Sequence, residues 1–139
     1  MVNLSLEYGN SEASCYAYAL LARTLGSRFG DYQAGYRFGR LSLELVDNRG
    51  LERFKPRVYA CFGHHVDPWK HHLRHSRQWL RLAFAAAPQA GDLTLATYNR
   101  INAVGNLLAS GEPLSEVQVE VERGLEFARR FAHGLSVDL

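Results

Sequence analysis

Apolar residues along this chain recur three and four positions apart instead of alternating, a period that predicts helices and not strands. The breakers are evenly placed, at Gly9-Asn10-Ser11, Gly30-Asp31, Asn48-Arg49-Gly50, Asp67-Pro68, Gly91-Asp92 and Gly111-Glu112-Pro113, and leave segments of helical length between them. Their chemistry is directional. Glycine tolerates the left-handed backbone that ends a helix, Asp or Ser caps the free amides of the next one, and Pro fits a first turn.

Within the segments the faces are distinct. In the fourth, Trp69, Leu73, Leu80, Ala83 and Ala87 form an apolar stripe interrupted by Ser76, with Lys70, Arg74, Arg77 and Arg81 as a basic stripe beside it. In the last, Leu114, Val117, Val121, Leu125, Ala128 and Ala132 form a second stripe flanked by Glu116, Glu120 and Glu126. The second segment carries small residues at helical spacing, Gly35, Gly39 and Ser42, beside Phe38, Leu41 and Leu45. Each glycine costs a helix about 1 kcal/mol relative to alanine, so the small face implies close approach of a neighbouring helix. Pro56 places the start of the third helix near Lys55, and Pro88 frays or kinks the end of the fourth.

Pairing consecutive helices divides the chain into hairpins over about residues 10–48, 51–90 and 92–133, a repeat of about 40 residues. A hairpin of this size cannot bury its apolar face alone. The expectation is an all-α chain, 1–139, of antiparallel helical hairpins stacked into a superhelix as one helical-repeat domain. The first nine residues read as the end of a helix whose partner is missing, as in a fragment of a longer array. Such an exposed end invites homo-oligomer pairing.

Composition narrows the class without naming an activity. The 139 residues are 47% apolar, 12% aromatic and 22% charged, which excludes disorder. No apolar run approaches the roughly 18–20 residues that span a bilayer, and the amino terminus lacks a signal peptide's basic and apolar blocks, so the chain is read as cytoplasmic with no membrane contact. Sixteen Lys and Arg against fourteen Asp and Glu leave a net charge of +2, too small to demand a polyanion. Two cysteines, Cys15 and Cys61, cannot build a disulfide framework or a four-cysteine zinc site, and read as core residues.

The stretch Gly30-Asp31-Tyr32-Gln33-Ala34-Gly35-Tyr36, followed by Ser42, resembles the second half of a tetratricopeptide repeat. A wider resemblance is carried by Leu4-Ser5-Leu6-Glu7-Tyr8-Gly9-Asn10-Ser11, Tyr16-Ala17-Tyr18, Gly35-Tyr36-Arg37-Phe38-Gly39, Trp69, Gly91-Asp92 and Leu107-Leu108-Ala109-Ser110-Gly111-Glu112-Pro113-Leu114. These segments look like the tetratricopeptide-like helical region of very large bacterial signalling proteins, which join a Ser/Thr-kinase-like domain, an ATPase module, a GAF domain and a sensor histidine kinase. The resemblance implies a fragment of such an array. No glycine-rich phosphate loop, Walker sequence, His-Arg-Asp loop or histidine-kinase ATP lid occurs in the chain, so no catalytic activity and no cofactor is carried over.

Three constellations remain. His64, His65, His71, His72 and His75 cluster, with His71 and His75 four apart on the expected fourth helix. Apart from Asp67 no carboxylate stands at ligand spacing, so they are read as turn and helix-surface histidines and not as a metal site. The basic stripe with Trp69 and Trp79 has the residue types that grip phosphates and stack bases, but a solvated face paired with the acidic residues of the last helix explains it equally, and nucleic acid is not favoured. Finally, the first helix of each hairpin lines the concave face of a helical array, so Tyr16, Tyr59, Tyr98, Asn99 and Asn102 are the expected partner-binding residues.

The expected function is a scaffold or docking segment of a signal-transduction kinase or ATPase, with flanking domains of the same chain, or a peptide or subunit, as partner. The alternative is a free-standing peptide- or subunit-binding adaptor. A nucleic-acid- or metal-binding helical domain ranks behind both.

Overall fold

The computed structural model describes residues 1–130. Among them the chain forms seven α-helices and no strand: α1 (Val2–Tyr8), α2 (Ser14–Phe29), α3 (Tyr32–Asn48), α4 (Lys55–Cys61), α5 (Leu73–Gln89), α6 (Leu93–Ala109) and α7 (Leu114–Arg130). Ala132 and His133, expected at the end of the last hairpin, lie outside the described residues. No described helix is long and apolar enough to cross a membrane.

The joints work as their residues require. Gly30 ends α2 at φ 69°, and the Asp31 carboxylate accepts the Ala34 amide at 2.9 Å to open α3. Gly91 at φ 72° and Asp92, which accepts the Leu95 amide at 3.0 Å, repeat the device between α5 and α6. Each such cap is worth about 1 kcal/mol. Pro56 sits in the first turn of α4, and Pro88 falls in the last turn of α5, whose helix runs one residue past it.

Helices α2 and α3 pair, as do α4 with α5 and α6 with α7, while α5 against α6 joins the second pair to the third. The small face of α3 explains the first contact. A Cβ on Gly35 would stand 2.8 Å from the Ala22 carbonyl oxygen, and one on Gly39 would stand 2.8 Å from the Phe62 ring. The core lies where these elements meet, built from Cys15, Ala22, Leu43, Val46, Val58, Phe62, Val66 and Ala83. Cys61 is also buried, and both cysteines are free thiols. Burial pushes the Cys61 thiol up to about 11, far from a reactive thiolate.

The second hairpin departs from expectation. Helix α4 widens into a π turn, Phe62–Val66, followed by a single 3-10 turn, Asp67–Trp69. Helix α5 then starts at Leu73, four residues later than the apolar stripe implied, because His72 is extended at ψ 145° and caps the helix through its own ring. Trp69 therefore belongs to the turn and not to the fourth helix. Its ring occupies the space that a Cβ on Gly26 would need, 2.1 Å from the nearest ring atom, and so fastens the turn to α2. A side chain can settle there only because residue 26 is glycine.

The two ends are less covered. On α1, Leu4, Leu6 and Tyr8 are exposed, and the helix is tied to α2 by a 2.6 Å hydrogen bond between the hydroxyls of Ser5 and Ser14. On α7 only part of the expected stripe is buried: Val117 and Ala128 pack inward, whereas Leu114 and Val121 face outward.

Candidate functional site

Helices α2, α4 and α6, the first of each hairpin, line a common groove of about 380 Å³. Each contributes a stripe at helical spacing: Tyr16, Leu20 and Arg23 from α2, then Arg57, Ala60, Cys61 and His64 from α4 and its extension, then Leu95, Tyr98, Asn99 and Asn102 from α6. Residues three, four and seven apart share one helix face, so a single anchor on each helix brings its neighbours with it. Asp92 and His65 complete the rim.

Four of the five residues expected to bind a partner, Tyr16, Tyr98, Asn99 and Asn102, meet in this groove. Tyr59 does not. It is buried on the opposite side of α4, where its hydroxyl donates to the Asp47 carboxylate, and burial together with that carboxylate raises its pKa. The reason is angular: Tyr59 lies between Arg57 and Ala60 in sequence but about 200° from Arg57 around the helix. Leu20, Arg23, Arg57 and the two histidines were not expected. Counting four and seven onward from Tyr16 would have found Leu20 and Arg23.

The groove has apolar, cationic and amide surfaces. Tyr98 is 43% exposed and is its most accessible aromatic. Arg57 spans from α4 to the cap of α6, 3.0 Å from the Asp92 carboxylate, while Arg23 is exposed with no ion pair among the described residues. His65 is held neutral, its pKa pulled down to about 4 by burial first and then by His64 and Arg23. Asn99 is fully buried in the groove wall, and neither its amide nitrogen nor its oxygen has a hydrogen-bond partner. Leaving such groups unpaired costs about 1–3 kcal/mol, which marks Asn99 as a residue retained against stability.

Three of the four residues of the basic stripe, Lys70, Arg74 and Arg77, are already engaged. Arg74 and Arg77 both donate to the Glu112 carboxylate, Arg74 at 2.7 Å, and Arg77 also reaches Asn106 at 3.1 Å. Their acidic partner is thus Glu112 in the turn between α6 and α7, not Glu116, Glu120 or Glu126; Glu120 pairs instead with Arg100 and Arg123. Lys70 lies outside α5, its ammonium 4.2 Å over the Tyr36 ring. Trp79 packs edge-on against Phe62, with 5.2 Å between centroids, so neither tryptophan presents a free face for base stacking.

The histidines divide into two groups. His64 and His65 flank the groove, with ring centroids 4.6 Å apart. His71 and His75 converge on Asp67 at the other side of the turn. His71 is not on the fourth helix as expected; it precedes α5, and the 3-10 turn carries it toward the carboxylate.

Among known proteins, the chain is similar to the hybrid signal transduction histidine kinase G of Dictyostelium discoideum, with 28% identity over 120 residues, 83% of this chain. The chain spans about 3% of the length of that relative. The similarity supports a helical segment related to signalling. It lends nothing to the bacterial origin that the resemblance implied, since the relative belongs to Dictyostelium. No protein-family profile matches the chain, and no solved structure matches it.

Proposed function

We propose that this chain is a non-catalytic docking segment of a signal-transduction protein, its hairpins stacked in the tetratricopeptide-like manner, and that the groove across α2, α4 and α6 receives a polypeptide from the flanking parts of the same longer chain. The observation that carries the reading is the open groove itself, whose accessible surface combines the Tyr98 ring with the Asn102 amide. A side-chain amide offers both a donor and an acceptor, the complement of a peptide bond, and Asn102 stands one turn further along the same face. Tyr98 supplies apolar contact area at low entropic cost. The similarity to a signalling kinase that is many times longer supports an occupant supplied by the same chain.

Site-specific photocrosslinking tests the reading in the full-length protein. A benzoylphenylalanine at Tyr98 is expected to crosslink to one defined polypeptide segment, and the same probe at Leu82, exposed on α5, is not. Crosslinks within the chain support the docking segment, whereas crosslinks to a separate protein favour the free-standing adaptor. Identical products from both positions would refute a specific groove.

A further inference from the structure

We propose that Asp67, His71 and His75 form a binding site for a divalent transition-metal ion of the zinc, cobalt or nickel kind. The Asp67 side chain is 0% exposed, yet it has no Lys or Arg ion pair among the described residues. Its two oxygens are taken instead by imidazoles, Oδ1 by His71 Nδ1 at 2.9 Å and Oδ2 by His75 Nδ1 at 2.8 Å, with the Ser76 hydroxyl donating to Oδ2 at 2.9 Å. One ligand atom from each of the three residues lies within 4.8 Å of the others. A buried carboxylate needs compensating positive charge, and no Lys or Arg among the described residues supplies it here. A divalent ion between the two rings replaces the bridging protons with a full charge.

The geometry is close to what such an ion requires. Zinc bonds of about 2.0–2.1 Å in a tetrahedron set neighbouring ligand atoms about 3.3 Å apart, and the three ligand atoms now lie within 4.8 Å of one another, so the rings must shift by about an ångström to close on an ion. The imidazoles have room to do so, because His71 and His75 are 35% and 44% exposed while the carboxylate beneath them is fixed. The same exposure leaves the outer face open to water as a further ligand. Two imidazoles with one carboxylate suit zinc and its neighbours better than magnesium or calcium, which prefer oxygen.

The surroundings can orient these ligands. The Gln78 amide nitrogen lies 3.1 Å from His75 Nε2, and with Nδ1 on a metal the exposed amide turns over so that its oxygen accepts the Nε2 proton. Of the basic residues that flank the histidines in sequence, Lys70 is drawn over Tyr36 and Arg74 is paired with Glu112. The Tyr36 ring also meets His71 edge-on at 5.6 Å, which restrains its orientation. Asp67 and His71 belong to the turn and His75 to α5, so a bound ion would clamp the irregular turn to the helix that follows it.

The test is titration of the chelator-treated 139-residue protein with Zn²⁺ by calorimetry and with Co²⁺ by visible absorption. The expected result is one ion per chain, intense cobalt bands of a tetrahedral nitrogen and oxygen site, and a melting temperature raised by about 5 °C or more at saturating metal. His71→Ala and His75→Gln should each weaken binding by about tenfold or more, whereas His64→Ala/His65→Ala leaves it unchanged. His75→Gln keeps a hydrogen-bond donor for Asp67, so its effect is read on a chain whose circular dichroism is preserved. No saturable binding to the parent chain, binding that survives both substitutions, or binding abolished by the His64/His65 pair would overturn the proposal.

Discussion

Replacing Asn99 by leucine should make the isolated protein more stable. Leucine has the same branching and the same number of side-chain heavy atoms as asparagine, so it enters the same space without hydrogen-bonding groups. Asn99 is fully buried, with both polar side-chain atoms unpartnered, and removing them recovers about 1–3 kcal/mol. Leucine's better helix propensity adds up to about 0.5 kcal/mol in the interior of α6. Against this stands about 1 kcal/mol for fitting tetrahedral methyl groups where a planar amide lay. The balance is a gain of about 1–2 kcal/mol, or a melting temperature higher by about 3–8 °C. Urea denaturation of both proteins under identical conditions measures it, with an unchanged slope showing that the unfolding transition is the same. A loss of stability of about 1 kcal/mol or more would refute the premise that the amide lacks partners in the free protein.

Two further outcomes follow from the packing and the electrostatics. Gly39→Leu should destabilise by about 2 kcal/mol or more, since even a Cβ meets Phe62 and Val66 at 2.8–2.9 Å, whereas Gly105→Ala, with nothing within 4 Å, should stabilise by about 0.5–1 kcal/mol; equal effects in thermal melts would contradict the assigned helix contacts. His65 has its folded pKa lowered from 6.5 to about 4, so the unfolded chain binds the proton more readily. Its contribution is therefore intact above about pH 6.5 and is lost progressively as pH falls toward 4, and His65→Gln should flatten that part of the stability profile, with an NMR titration midpoint near 4 in the parent as the direct check.

Most of the helical framework is legible in the sequence because its signals are local. Gly30-Asp31 and Gly91-Asp92 stop one helix and start the next through their own backbone and side-chain chemistry, and Pro56 sets the start of α4 in the same way. The small face of α3 is equally plain, since Gly35 and Gly39 make sense only if another element lies against them. The groove is legible to the same degree: Tyr16, Tyr98, Asn99 and Asn102 share helix faces that periodicity alone can group.

Tertiary structure decided what periodicity cannot reach. Periodicity puts Tyr59 about 200° round α4 from Arg57, but that its side of the helix packs toward α3, where the hydroxyl donates to the Asp47 carboxylate, is a matter of tertiary packing. Trp69 fits the apolar stripe of the following helix on paper, yet the space above Gly26 draws its ring to α2 and holds the chain in a 3-10 turn. Positions 67, 71 and 75 are spaced four apart, which the sequence shows, but the turn between them is not α-helical, and only the fold shows that it still brings both imidazoles onto the buried Asp67 carboxylate. Helix limits, caps and small faces arise from neighbouring residues, and the sequence by itself determined them. The irregular turn goes with a ring that fills a space on another helix, and the burial of Asp67 beneath His71 and His75 goes with that turn, so only the folded chain could decide both.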